Sequence, residues 1–398
     1  MADTPRHKIN VAFFLYSMTG GGAERVVSIL VEKLITQFNI HLVLFNGPID
    51  YSLPAGVNLH LLRRESKWRL RRLLTIPLVL WRYQQFCKDN QIHLSVSFDN
   101  LANYTNAGLS FFSGWEGSLI LSERNPPFLR YGNGWSKRLL HGLLIRYLYP
   151  RADLLIACSK GVELDLRKHV PQLPKLLTIY NPLPLEKMPV SAPPISQKAS
   201  NTFVFIHVGS FRPQKNHDLL LRAFAASALP DTELWLIGKG PLEAGIRQLA
   251  IDLGVGDSVR FPGFQADPYA WMLQADCLAL SSHYEGFPNV LLEALAASLP
   301  IIAVDCLAGP REILAPATDF RTQLKQGMEL AEHGILTPEG GLEALAKAMQ
   351  TMIARKDLQN SYREKARRRA ADFHSEKIAA AYAACFQGAL SEPLISPG

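Results

Sequence analysis

Short apolar runs rich in β-branched residues alternate along this chain with longer stretches whose apolar positions recur every three or four residues. That is the pattern of parallel strands joined by crossover helices. In the first half, Ile9–Leu15, Ile40–Phe45, Leu94–Phe98, Ser118–Ser122 and Leu154–Cys158 predict strands, and Val26–Leu34, Arg69–Phe86 and Lys137–Leu148 predict helices. Proline then interrupts the pattern. Asn181-Pro182-Leu183-Pro184, followed by Pro189, Pro193 and Pro194 among Ser and Ala, has the composition of a linker. The alternation resumes with expected strands at Phe203–Val208, Glu233–Ile237, Val259–Phe261, Asp276–Leu280 and Pro300–Val304. The expected helices between them are His217–Ala228, Pro241–Leu253, Pro268–Gln274 and Asn289–Ala297. The expectation is an α/β chain of two doubly wound, Rossmann-like domains, 1–183 and 184–372, facing a central cleft. Ligands of such sheets bind beyond the carboxyl ends of the strands.

Composition narrows the class without choosing a ligand. A chain of 398 residues, 48% hydrophobic and 19% charged, has room for two globular cores. Its net charge of +7 suits an anionic partner, whether nucleotide, lipid headgroup or nucleic acid. The five cysteines are odd in number and scattered, without Cys-x-x-Cys or metal spacing, which reads as reduced thiols in a cytoplasmic protein. The start of the chain does not read as a signal peptide, and the apolar stretches at Leu73–Trp81 and Leu139–Leu148 are too short to span a bilayer.

The most informative chemistry lies in Glu285-Gly286-Phe287-Pro288-Asn289-Val290-Leu291-Leu292-Glu293. Pro288 suits the first helical position, and Gly286 lets a ligand approach the backbone. A helix N-terminus favours phosphate, yet carboxylates before it and roughly 7–8 Å further along, at about 1.5 Å per residue, repel an isolated one. Ionised carboxylates accept hydrogen bonds only, so the pair fits a ligand that carries hydroxyls beside its phosphate. A sugar phosphate meets both demands.

Other strand ends add to this. Gly209-Ser210-Phe211-Arg212-Pro213-Gln214-Lys215 follows the first strand of the second half and places Arg212 and Lys215 where a diphosphate would lie, the alternative being solvated loop charges. Gly238-Lys239-Gly240 and Pro262-Gly263-Phe264 end the next two strands, either as plain turns or as backbone edges for a nucleobase. Thr19-Gly20-Gly21-Gly22 after the first strand brings backbone close to a diphosphate or an acceptor sugar, or forms only a tight turn. A dinucleotide fingerprint is disfavoured, because Arg25 stands where a third glycine belongs. Arg124 closes a first-half strand and is a candidate for phosphate or acceptor. Histidines form no metal pair and no Asp-x-Asp occurs, so no catalytic metal is expected. Residues 63–82 carry Arg63, Arg64, Lys67, Arg69, Arg71, Arg72 and Arg82 beside Trp68 and Trp81, which suits an anionic membrane surface or the wet face of a crossover helix. Nothing accompanies that charge that reads as a nucleic-acid fold.

With these motifs the chain resembles the GT-B glycosyltransferases of family 4, retaining enzymes that use sugar nucleotides. The likeness covers most of the chain and rests on Gly20-Gly21-Gly22-Ala23-Glu24-Arg25, Pro213-Gln214-Lys215-Asn216, Gly238-Lys239-Gly240-Pro241, the Glu285–Glu293 motif, Gly309-Pro310-Arg311-Glu312 and Gly334-Ile335-Leu336-Thr337-Pro338. The resemblance implies that Glu285 contacts the transferred sugar and Glu293 the ribose diol, with Gly286, Phe287 and Asn289 lending backbone contacts. It implies that Lys215 and Arg212 neutralise a leaving diphosphate without metal or cofactor. Gly209, Gly238 and Phe264 would complete the donor site, and Gly21, Gly22 and Arg124 would face the acceptor. The segment 373–390 resembles the family's terminal helix, which rejoins the first domain. Two departures stand out: Ser210 occupies a position where many members carry arginine, and Arg124 one where several lipid-linked-oligosaccharide members carry histidine. The implied activity is transfer of a hexose or N-acetylhexosamine from a nucleoside diphosphate sugar to a lipid-linked glycan, at the inner face of the cytoplasmic membrane. Alternatives are a sugar-nucleotide epimerase on the same scaffold and a non-catalytic nucleotide-sugar-binding protein at the membrane surface.

Overall fold

A computed structural model describes residues 8–62, 76–130, 135–191 and 201–391. Most of the basic stripe, from Arg63 to Arg72, lies outside the described residues, as do Pro193 and Pro194. The chain divides into two compact units, one running to Pro182 and resuming at Ser375, the other spanning Leu183–His374.

The first unit is a seven-stranded parallel sheet. In chain order it contains β1 (Asn10–Leu15), α1 (Gly22–Leu34), β2 (Asn39–Leu44), β3 (Asn58–Leu61), α2 (Ile76–Asp89), β4 (Leu94–Phe98) and α3 (Asn100–Ala107). It continues through β5 (Ser118–Glu123), α4 (Pro127–Arg130), α5 (Trp135–Leu148), β6 (Leu154–Ala157), α6 (Lys160–His169) and β7 (Lys175–Thr178). The strand order is β3-β2-β1-β4-β5-β6-β7, which places the reversal of direction between β1 and β4. Phe13, Val96, Ile120 and Ile156 are buried because helices cover both faces, and such strands read as continuous apolar runs. On α1, Val26, Leu30 and Leu34 recur every four residues, with Val27 and Val31 beside them, and this stripe seats the helix on the sheet.

The second unit repeats the plan. Its elements are β8 (Phe203–Val208), α7 (His217–Ser227), β9 (Thr232–Ile237), α8 (Glu243–Asp252), β10 (Val259–Gly263), α9 (Pro268–Met272) and β11 (Cys277–Leu280). Then follow α10 (Asn289–Ala296), β12 (Ile301–Val304), α11 (Pro310–Leu314), β13 (Glu329–Ala331), β14 (Gly334–Thr337), α12 (Leu342–Ala354) and α13 (Lys356–Ala371). The order β10-β9-β8-β11-β12-β14-β13 is parallel except for the antiparallel β13–β14 pair. Beyond His374 the chain forms α14 (Ser375–Ser391), whose Ile378, Tyr382 and Phe386 belong to the core of the first unit. There the Phe386 ring meets Phe13 and Phe38 edge-on at 5.9 and 5.6 Å.

Several elements escape the sequence pattern. β3, β7 and the β13–β14 pair are only three or four residues long, too short to show a period. Helix α3 reads Asn-Leu-Ala-Asn-Tyr-Thr-Asn-Ala and looks like loop, yet Asn103 and Asn106 are fully buried. Asn106 Nδ2 donates to Ser95 O and Ile120 O, and Asn103 Nδ2 donates to Ser122 O, so the amides pin β4 to β5. These hydrogen bonds offset the cost of burying the two amides. Pro288, expected as the first residue of α10, instead caps it with extended backbone at ψ 109°, and Asn289 opens the helix.

Candidate functional site

In the second unit the loops beyond the carboxyl ends of β8 and β11 are stitched together. After Gly209 the chain runs through Arg212 into a 3-10 turn, Pro213–Lys215, and Asn216 then takes left-handed backbone at φ 50°. Asn216 Oδ1 accepts from Leu219 N at 3.4 Å and so caps α7. Ser281 Oγ donates to Lys215 O, His283 N donates to Gln214 O, and Gln214 Nε2 donates to Tyr284 O, all between 2.8 and 2.9 Å. This clamp sets Lys215 Nζ 2.6 Å from Glu285 Oε1, both side chains largely withdrawn from water. Two residues far apart in sequence, each singled out for its own chemistry, thus meet as an ion pair. Arg212 remains exposed at the same loop.

Glycine makes these loops fit. A Cβ on Gly238, where φ is +148°, would lie 2.1 Å from the Gly209 carbonyl oxygen, and one on Gly240 would lie 2.6 Å from that of Phe211. A Cβ on Gly309, at φ +91°, would lie 2.4 Å from the Pro288 ring. The ends of β8 and β9 interlock through the first two contacts, and the third fixes the entry to α10. Gly286 is buried in this entry, and Phe287 turns its ring into the core against Phe373 at 5.4 Å, which leaves only its backbone for a ligand. Glu293 and Asn289 are half-buried on α10. Phe264 is exposed beyond β10 with the Lys239 ammonium 4.4 Å from its ring centre.

Two histidines that the sequence reading did not single out lie behind Lys215. His207 is fully buried, and its Nδ1 faces Ala279 O at 2.8 Å, which assigns the proton to Nδ1. His217 stacks on Phe211 at 4.4 Å and meets His207 edge-on at 4.6 Å. Burial lowers the His207 pKa to about 4 and that of His217 to about 2, and the charge of Lys215 pushes the same way. Both imidazoles are therefore neutral at physiological pH. Arg311 is spent internally: its Nη2 lies 2.6 Å from Asp305 Oδ2 and 2.8 Å from Glu329 Oε2.

In the first unit, Gly21 caps α1 and Gly22 opens it, with the Gly21 carbonyl accepting from Tyr51 OH at 3.1 Å. The Glu24 carboxylate folds back over Gly21, so closely that a Cβ there would lie 2.2 Å from Glu24 Oε2. Burial raises the Glu24 pKa and the nearby Asp99 adds to it. These carboxylates follow β1 and β4, the neighbours between which the strand order reverses. Neither was singled out as a site residue from sequence, although Asp99 directly follows an expected strand. Arg124, at the end of β5, is buried, and its guanidinium donates to Ser122, Tyr382 and Asn181 of its own unit. Among the described residues no three His, Cys, Asp or Glu side chains are grouped to hold a metal ion.

A model of the family described as glycosyl transferases group 1 matches residues 191–369. Over 372 residues the chain is 31% identical to an N-acetylgalactosamine-N,N'-diacetylbacillosaminyl-diphospho-undecaprenol 4-alpha-N-acetylgalactosaminyltransferase of Campylobacter jejuni, covering 93% of this chain and 97% of that one. It is 29% identical to the lipopolysaccharide 1,6-galactosyltransferase of Salmonella typhimurium over 42% of this chain and 46% of that one. Among solved structures, sucrose-phosphate synthase from Thermosynechococcus elongatus superposes with a TM-score of 0.80 at 19% identity, covering 96% of this chain and 99% of that one. The Anabaena protein HepE in complex with UDP gives 0.73 at 19% identity, covering 96% and 100%. The likeness extends along nearly the whole of the Campylobacter relative, and both sheets share the architecture of these structures: the chain belongs to the glycosyl transferases group 1 and is a glycosyltransferase of GT-B fold.

Proposed function

We propose that this enzyme is a retaining glycosyltransferase of family 4 that moves a hexose or N-acetylhexosamine from a nucleoside diphosphate sugar to a lipid-linked glycan. The buried Lys215–Glu285 pair, clamped beyond the ends of β8 and β11, carries the reading. It sets a cation and a hydroxyl-accepting carboxylate side by side, as a diphosphate attached to a sugar requires. In this reading Glu285 accepts from the transferred sugar's hydroxyls and Glu293 from the ribose diol. Lys215 and Arg212 face the diphosphate, while Gly209, Gly238, Gly286, Phe287 and Asn289 bring backbone to it and Phe264 lies by the base. Gly21, Gly22 and Arg124 belong to the acceptor side, Arg124 by holding its strand end. The bond from anomeric carbon to diphosphate oxygen breaks with its electron pair on the leaving group. The acceptor oxygen attacks from the same face and gives its proton to the leaving phosphate.

The names of the relatives support the acceptor class: one acts on a diphospho-undecaprenol-linked sugar, another on lipopolysaccharide. Surface polysaccharide or oligosaccharide assembly at the inner face of the cytoplasmic membrane is the setting this implies. No helix among the described residues is long and apolar enough to cross a membrane. The test is incubation with panels of UDP- and GDP-sugars and undecaprenyl-diphosphate-linked acceptors, with the product anomer read by NMR. Transfer with retention, unchanged by EDTA, is expected. Neither transfer nor hydrolysis with any donor would sink the reading, and an epimerised donor formed without acceptor would replace it with an epimerase.

A further inference from the structure

Helix α5 is apolar on both sides, which one sheet cannot satisfy. Ile145 and Leu148 face the core, while Leu139, Leu140, Leu143 and Tyr147 on the other side are each more than half exposed. A helix apolar all round is normally buried all round. The exposed side continues onto Phe111, itself half exposed and stacked on Tyr147 at 5.9 Å. The Arg151 guanidinium lies over both rings, 3.8 Å from the centre of Tyr147 and 4.8 Å from that of Phe111. Next to this, Leu80 of α2 packs against Gly108 of the turn that carries Phe111, and α2 exposes Leu78 and Trp81. Such a patch on a water-soluble surface marks a partner.

The charge pattern says which partner. Among the described side chains, α2 from Pro77 to Lys88, the Gly108–Phe112 turn and α5 from Leu139 onward carry no carboxylate, while Arg82, Lys88, Arg146 and Arg151 lie on or beside them; Asp89, Glu116 and Asp153 follow these stretches in the chain. Leucine beside tryptophan, tyrosine and arginine is the chemistry of an interface with anionic lipid headgroups. We infer that the face formed by α5, Phe111 and Arg151, with Trp81 of α2 beside it, seats the first unit on an anionic lipid surface. The inference rests on the proposed lipid-linked acceptor for its purpose, but its observations are independent of the donor site.

The experiment is sedimentation of the full-length protein with vesicles of phosphatidylcholine alone or mixed with phosphatidylglycerol, across a salt series. The wild type is expected to sediment with the mixed vesicles, less so as salt rises. The variant Leu140→Glu/Leu143→Glu is expected to lose at least tenfold in partition while keeping its melting temperature and its affinity for nucleoside diphosphates. A wild type that stays in the supernatant with anionic vesicles overturns the inference. So does a double variant that sediments like the wild type, which would pass the role to residues 63–72. Self-association of the wild type, abolished in the variant and without vesicle binding, would assign the face to a second copy instead. Donor affinity, measured by titration calorimetry on the same samples, reports on the proposed function separately.

Discussion

Lys215 and Glu285 form a buried ion pair at the clamp between two loops of the second unit. A buried pair gains little over an apolar one, but breaking it leaves one charge unpaired out of water. Lys215→Ala is therefore expected to cost about 3 kcal/mol in urea unfolding. Adding Glu285→Gln should recover part of that cost, because the stranded charge is gone. Recovery of stability should not bring recovery of rate: kcat is expected to fall roughly 100-fold or more in both variants, since in the proposed function the lost group neutralises the leaving diphosphate. Stability that stays low in the double variant would mean that the pair's packing matters more than its charge. The histidines behind the pair make a second prediction. In the unfolded chain an imidazole titrates near 6.5, whereas folded His207 titrates at about 4, so the unfolded state binds the extra proton between those values. The contribution of these groups is complete above pH 6.5 and falls as pH drops towards 4, by roughly 3 kcal/mol for His207, with His217 adding a similar loss over the same range and continuing towards pH 2. Urea midpoints at pH 7.5 and 4.5 should differ accordingly, and His207→Leu/His217→Phe should flatten the difference.

At the scale of elements, the loops at the strand ends are fixed by close backbone approach rather than by side chains. Gly238→Ala combines a positive φ with a contact of 2.1 Å to the Gly209 carbonyl, so the β8 and β9 ends must part. The expected result is a loss of about 2 kcal/mol in stability and a donor affinity lower by roughly tenfold. An alanine variant with unchanged calorimetric donor binding would separate this turn from the site. Phe264 offers the opposite case, because its ring is exposed and holds nothing in the core together. Phe264→Ala should leave the melting temperature unchanged and weaken nucleotide binding by roughly 5- to 20-fold, as loss of an aromatic contact does.

At the scale of the whole molecule, α14 returns the chain to the first unit after the second is complete. Its Tyr382 and Phe386 are fully buried there, among Phe13, Phe38 and Phe98. Truncation after His374 should remove the cooperative transition of the first unit in calorimetry and leave that of the second. Phe386→Ala, a milder lesion, is expected to cost about 3–5 kcal/mol. If the truncated chain showed both transitions intact, the helix would be a passenger rather than part of the core.

Much of this was legible in residue order. Strands buried on both faces must be apolar throughout, so β1, β4, β8 and β12 announce themselves, and the proline break before residue 203 separates the two alternations. The position of Lys215 and Glu285 in loops after strands was readable too, the place where such sheets put ligands. What the sequence could not state is which charge meets which. Arg124 was a candidate from its place at a strand end, yet register and the return of α14 surround it with Ser122, Asn181 and Tyr382. Helix α3 shows no apolar period, because the partners of its buried asparagines lie on β4 and β5. His207 and His217 owe their neutrality to burial, and Glu24 its raised pKa to burial and to Asp99, which the adjacency of β1 and β4 brings near. Periodicity is local and survives in one dimension, so the sequence by itself determined the two alternating α/β halves and the chemistry at their strand ends. Desolvation and pairing depend on neighbours distant along the chain, so the tertiary structure alone decided which of those charged groups is buried, neutral or exposed.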